Sequence, residues 1–170
     1  MTDEYIVPKM RWGRKSDINE MVEIDYRAFE YPWFPSHFHE AFASQNVKVR
    51  VADAGGVIVG YVFYLIEDGV VTLLNLAVLT QLVRYGVGTF LIKDVKSRLL
   101  QRRRIIEVYV RERNLAAQLF FKSQGFICKS THPGYYNNCD DAAYLFEYQA
   151  PLDDLYSPCI SSIQSGDVVP

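Results

Sequence analysis

The sequence is poor in the features that mark several large functional classes. Cys128, Cys139 and Cys159 are odd in number, and none belongs to a C-x-x-C pair. That speaks against a disulfide framework or a zinc site and for reduced thiols, as in a cytoplasmic protein. No apolar run approaches the ~20 residues of a bilayer span. The opening MTDEYIVPK lacks the order of a signal peptide. No membrane association is therefore expected. Positive charge is not in excess: the net charge is −2, whereas nucleic-acid binding calls for a basic face. No G-x-x-x-x-G-K-[ST] loop is present, and the one glycine turn lacks the third glycine of a dinucleotide fingerprint. His37 and His39 stand two apart in a helix-like stretch. They would point to different faces, so we read them as surface residues and expect no metal.

What is present is an ordinary globular balance in 170 residues, with 49% apolar and 22% charged side chains. That is one domain with a real core. We expect it over residues 1–150. From Pro151 the composition turns to Ser, Asp, Pro and Gly, so residues 151–170 are expected to form a loosely ordered tail. Residues 73–91 (LLNLAVLTQLVRYGVGTFL) organise the rest. An apolar, strand-like run ending at Leu76-Ala77-Val78 feeds a polar bend. Arg84-Tyr85-Gly86-Val87-Gly88 follows, then a helical pattern from Thr89. A glycine turn opening a helix lets the backbone approach an anion with its N–H groups unpaired. One helix end contributes only about 0.3–2 kcal/mol, so a diphosphate needs several amides and a cation, which Arg84 could supply. The plainer reading is a tight connection between a strand and a helix.

Around this stretch the pattern alternates strands and helices. Residues 5–12 read as a strand. Ser16-Asp17 caps a helix carrying Ile18, Met21, Val22, Ile24, Asp25, Tyr26 and Phe29. Tyr31-Pro32-Trp33-Phe34-Pro35 breaks it, as a core plug or equally as a substrate-facing wall. A short helix is expected over residues 36–44. Strands over residues 47–52, 57–66 and 70–78, with turns at Asp53-Ala54-Gly55-Gly56 and Glu67-Asp68-Gly69, form an antiparallel meander. The helix after the glycines is expected to carry Phe90, Leu91, Val95, Leu99 and Leu100 on one side and to end at Arg102-Arg103-Arg104. Residues 105–111 alternate, with Ile106, Val108 and Val110 on one face and Glu107, Tyr109 and Arg111 on the other. Asn114 caps a helix closed by Gly125. Strands near residues 127–130 and 142–148 flank the loop HPGYYNNCDD.

In this order, NLAV at 75–78, R-Y-G-V-G-T at 84–89, Val110-Arg111-x-x-Asn114-x-x-Ala117, Phe120-Phe121-x-x-x-Gly125-Phe126, and Tyr135-Tyr136 before Asp141-Ala142 resemble the GNAT acyltransferase family. The likeness covers residues 8–148, with Phe29-x-x-Pro32-Trp33 fitting as well. It is narrowest to the RimI-type ribosomal-protein N-terminal acetyltransferases. It implies an α/β (α+β) fold, a mixed and mostly antiparallel sheet with a V-shaped splay, flanked by helices. It implies acetyl-CoA in the V as co-substrate, with no metal. The backbone of Leu76, Ala77 and Val78 would hold the acetyl group and pantetheine. Arg84, Tyr85, Gly86, Val87, Gly88 and Thr89 would hold the diphosphate, and Asn114 the pantetheine arm. Trp33, Tyr135 and Tyr136 would face a peptide or protein N-terminus. A monomer or weak homodimer is expected.

Three positions depart from the family pattern. Val83 stands where the glycine loop usually begins with Gln or Arg. Tyr109 stands at the general base, a Glu in the RimI type. Phe121, placed by the same spacing beside the cofactor, stands at the general acid, a Tyr. Phe121 cannot donate a proton. Glu107, two residues before Tyr109 and on its strand face, could act as a base through water, or be a plain surface or salt-bridged carboxylate. An α-amine with pKa about 7.7–8.0 is partly neutral at pH 7, whereas a lysine at about 10.4 is almost wholly charged. A weak proton-removal apparatus therefore favours an N-terminal amine. The alternatives are a GNAT enzyme acting on a small amine, and a binding module that keeps the acyl-CoA pocket without turnover.

Overall fold

A computed structural model describes residues 7–137 and 140–151. In chain order its elements are β1 (Lys9–Trp12), α1 (Ile18–Ala28), α2 (Pro35–Ala43), β2 (Val47–Ala54), β3 (Val57–Glu67), β4 (Val70–Val78), α3 (Val87–Lys96), β5 (Ile105–Arg111), α4 (Leu115–Ser123), β6 (Ile127–His132) and β7 (Ala143–Gln149). The strands form one sheet in the order β1-β2-β3-β4-β5-β7-β6. Every neighbouring pair is antiparallel except β4 with β5. The expected meander, mixed sheet and flanking helices are all present. The expected tail falls outside the described residues beyond Pro151, as do Cys139 and Cys159. No helix among the described residues is long and apolar enough to cross a membrane.

Local chemistry accounts for the element ends. The β2–β3 turn is tied by the Asp53 carboxylate, which accepts from Gly56 N at 2.6 Å. Asn114 caps α4, its Oδ1 accepting from Ala117 N at 3.0 Å. Helix α4 closes through Gly125 at φ 81°. Gly125 N donates to Lys122 O and Phe126 N to Phe121 O, each at 3.0 Å, the paired bonds of a Schellman ending. Two expectations are corrected. Helix α3 starts at Val87 rather than Thr89, and stops at Lys96 rather than at the arginines. Ser97 Oγ donates back to Asp94 O at 2.7 Å, a local bond that competes with helix continuation. The chain then tightens, and Leu100 pairs with Arg103 in an isolated bridge. Leu100 is exposed rather than on the buried side.

Two cores lie on opposite faces of the sheet. On one, α3 and α4 cover Val62, Tyr64, Leu73, Ile106, Val108 and Phe146. On the other, α1 and α2 cover Val51, Tyr61, Phe63 and Ala77 with Met21 and Phe38. Gly60 on β3 is a point of close approach. A Cβ there would sit 3.0 Å from Val87 Cγ1, 3.1 Å from Ala77 O and 3.2 Å from Leu91 Cδ1. Helix α3 is also tied to the far edge of the meander. Asp94 accepts from Arg50 Nε and Nη2 at 2.8 and 2.9 Å, and from Arg98 Nε and Nη2 at 3.0 and 3.2 Å.

Candidate active site

Strands β4 and β5 are joined only over their first halves, from Val70 with Ile105 to Leu73 with Val108. Beyond that rung each stays with its outer neighbour. Asn75, Leu76, Ala77 and Val78 remain on β3, opposite Phe63, Val62, Tyr61 and Gly60. Tyr109, Val110 and Arg111 remain on β7, opposite Leu145, Tyr144 and Ala143. Leu74 is an extra residue between the rungs Tyr64–Leu73 and Phe63–Asn75. Such a bulge bends its strand and increases local twist, so it turns β4 away from β5 where the pairing ends. The sheet thus opens as a V with backbone polar groups along its inner edges.

The open end of the V leads to the turn before α3. Arg84 and Gly86 both take positive φ, 71° and 88°. Gly86 precedes the helix in a left-handed conformation, which glycine adopts without steric cost. The amide of Tyr85 is taken by Leu82 O at 3.2 Å. Among the described residues no side chain accepts from the amides of Gly86, Val87, Gly88 or Thr89. The exposed Arg84 forms no ion pair there. Four adjacent donors and an unpaired cation suit the diphosphate of a coenzyme. Thr89 Oγ1 accepts from Gln124 Nε2 at 3.2 Å, linking this turn to the end of α4.

Other expected site residues sort themselves by burial. Phe121 is 5% exposed, in the core between Phe120 and Phe126 at centroid distances of 5.2 and 5.3 Å. Its neighbour Phe120 stands against the glycine turn, where a Cβ on Gly88 would lie 3.2 Å from the ring. Sequence spacing singled out Phe121; only the helical phase of α4, fixed by packing, separates the two rings. Asn114 uses its carbonyl as a helix cap, and its amide N–H groups have no partner among the described residues. Trp33 is half-buried, with Phe38 and Phe63 each 5.4 Å away, so it packs on the α1–α2 core.

On the face of β5 that α3 and α4 do not cover, aromatic groups gather. Tyr109 stacks on Tyr135 at 4.5 Å and 11°, with His132 edge-on at 5.5 Å. Tyr136 meets Tyr135 at 5.0 Å. Burial, reinforced by Tyr109, pushes the Tyr135 phenol upward, so it stays a neutral hydroxyl near pH 7. Arg111 holds its guanidinium over Tyr136 and Tyr31. Glu107 is half-buried, opposite Thr72 one rung before the last. Glu147 faces it across β7 and is paired with Lys129 at 3.5 Å. Glu107 has no ion-pair partner among the described residues. A concavity of about 460 Å³ lies elsewhere, beside β1, lined by Lys9, Met10, Arg11 and Asp53. Arg11 there is already held by Asp17 and Asp53, each at 2.7 Å.

Comparison with known proteins agrees with this geometry. The model of the acetyltransferase (GNAT) family matches residues 18–126, more than half of the chain. An N-alpha-acetyltransferase of Sulfurisphaera tokodaii is 29% identical over 160 residues, 85% of this chain and 93% of that protein. Among solved structures, the ribosomal-protein-S18-alanine N-acetyltransferase of Escherichia coli superposes with a TM-score of 0.75 at 21% identity, over 84% of this chain and 93% of that one. Arabidopsis thaliana NAA60 in complex with acetyl-CoA does so with a TM-score of 0.72 at 19% identity, over 84% and 98%.

Proposed function

Since the chain belongs to the GNAT acetyltransferase family and is an N-acyltransferase, we propose that it transfers acetyl from acetyl-CoA to the N-terminal α-amine of a protein or peptide. The observation that carries this reading is the divergence of β4 and β5 beyond Leu73 and Val108, opening onto the unclaimed amides that precede and begin α3. Gly86, Val87, Gly88 and Thr89 bind the diphosphate by their N–H groups, and Arg84 supplies the cation. The inner edge of Leu76, Ala77 and Val78 receives the pantetheine and orients the thioester, and the free amide of Asn114 reaches the same arm. The acceptor enters from the opposite face, under Tyr135 and Tyr136, with Trp33 behind them.

In the transfer, the amine nitrogen forms a bond to the thioester carbonyl carbon and the C–S bond breaks, releasing the coenzyme as a thiolate. Backbone N–H groups at the inner edge of β4 stabilise the oxyanion. Alignment of the two substrates supplies much of the rate. The amine must lose a proton. Glu107, one rung before the fork and without an ion-pair partner among the described residues, takes it through a water. Tyr109 lines the same face and orients that water. A thiol has a pKa near 8.5, so its thiolate leaves without an obligatory acid. That is consistent with phenylalanine at position 121.

Mass spectrometry after incubation with acetyl-CoA, a peptide panel and a set of small amines tests the assignment. Acetylation of peptide α-amines is expected. Modification of small amines alone would favour a small-molecule GNAT enzyme. Tight coenzyme binding with no transfer would favour a binding module.

A further inference from the structure

Asp25 lies in the last turn of α1 and is wholly buried, 0% exposed. Its carboxylate accepts three hydrogen bonds: from Trp33 N at 2.6 Å, from Asn75 Nδ2 at 2.8 Å, and a short one from the Tyr61 hydroxyl. No Lys, Arg or His pairs with it among the described residues. The Tyr61 phenol is raised far above its ordinary range by burial first and by the neighbouring Asp25 charge second, so it remains a donor.

These partners come from three separate places. Trp33 belongs to the connection between α1 and α2, Tyr61 to β3, and Asn75 to β4. Asn75 is the residue after the Leu74 bulge, two past the last rung between β4 and β5. Of the two ends of the Asn75 amide only the NH2 can donate to a carboxylate, so Asp25 fixes which way that amide faces. Its Oδ1 is then buried and without a partner among the described residues. A buried acceptor left unpaired is costly, and an unpaired-by-cation carboxylate in a core is rarely a stabilising choice over apolar packing. Satisfied polar networks instead specify one arrangement of the elements they join.

We propose that Asp25 is a positioning residue for the acceptor side of the site, locking the Trp33 wall to the fork of β4 and holding the Asn75 carbonyl ready for an N–H donor at that fork. This rests on the acetyltransferase reading above. It assigns Asp25, Tyr61 and Asn75 no direct part in coenzyme binding.

The test compares Asp25→Asn and Tyr61→Phe with the parent protein, in steady-state kinetics, in thermal unfolding and in hydrogen exchange. Asp25→Asn is expected to raise KM for the acceptor peptide about tenfold, the loss of one charge-assisted bond, with KM for acetyl-CoA changed less than about twofold. Tyr61→Phe, which leaves two donors on Asp25, keeps the test open should Asp25→Asn not fold, and is expected to give a smaller acceptor effect of the same kind. Hydrogen exchange should show the amides of residues 33–34 and 74–78 losing protection together in the variant, a readout that needs no turnover. A lowered melting temperature with both KM values unchanged would make the network purely structural and overturn the proposal. So would loss of protection in one segment alone. If the parent acetylates no amine while the two segments still loosen together, the acetyltransferase reading fails and the mechanical coupling stands.

Discussion

The guanidinium of Arg111 lies 3.8 Å from the ring centroid of Tyr136, and 4.5 Å from that of a second ring, Tyr31. One cation at the end of β5 therefore bridges two loops, the one after α1 and the one between β6 and β7. Asp141 stands 3.9 Å from it and 2.8 Å from Arg113. Such stacking contributes about 0.5–2 kcal/mol per contact.

Breaking that bridge should loosen the cover over the acceptor without touching the coenzyme. Arg111→Met is expected to raise KM for a peptide acceptor by about three- to thirtyfold, as expected from about 0.7–2 kcal/mol. The Kd for coenzyme A should stay unchanged. Paired kinetics and calorimetry measure both quantities. A parallel rise in the coenzyme Kd would mean that Arg111 supports the whole fork.

The proton-removal role proposed for Glu107 predicts a pH-dependent defect. Glu107→Gln should lower kcat/KM by about 10²-fold near pH 6–7, the lower end for a positioned base. The defect should shrink toward pH 9. Above an α-amine pKa of about 7.7–8.0 the acceptor arrives already neutral, and less proton removal is needed. A kcat/KM profile identical to the parent across pH 6–9 would remove Glu107 from the mechanism.

At the glycine turn, Gly86→Ala places a side chain at φ 88°, which costs about 1 kcal/mol or more. Gly88→Val drives a side chain into Phe120. Each is expected to weaken coenzyme A binding by tenfold or more in calorimetry, with acceptor KM less affected. Arg84→Gln should weaken it less, and should flatten the dependence of Kd on salt.

The Asp94 cluster sets an acid limit on stability. Burial works against its charge, but hydrogen bonds from Arg50 and Arg98 outweigh it and hold the carboxyl below the usual range. A depressed carboxylate contributes stability above its unfolded pKa, about 3.9, and loses it as pH falls through the folded value. Asp94→Asn should thus cost on the order of 3 kcal/mol at pH 7, since Arg50 is left buried with a neutral partner. The difference from the parent should narrow below pH 4, as read by denaturant unfolding across pH.

Much of this was legible in the chain because it is written locally. The turns at Asp53 and Gly69, the two-residue alternation of β5 and the Gly125 stop each depend on neighbours a few positions away. The resemblance carried the splay and the glycine turn. What stayed hidden is set by distance and phase. Asp25 meets Tyr61 and Asn75 across separations of 36 and 50 residues, and no local pattern announces them. Phe120 and Phe121 are equivalent by composition, and only packing turns one to the glycines and the other inward. The overrun of α3 past Lys96 had the same origin: a continuing apolar rhythm at Leu99 and Leu100 masked the Ser97 back-bond.

The bare backbone of Gly60 has a consequence for how this enzyme could vary. Its missing Cβ is the clearance that seats Val87 and Leu91 against β3, directly beneath Ala77. Position 60 therefore acts as a shim beneath the wedge. An alanine there would press on Val87 and Leu91, and so on the first turn of α3, whose amides are those proposed to bind the diphosphate. In the proposed reading, the spacing between the glycine turn and β4 is thus gauged from the neighbouring strand β3.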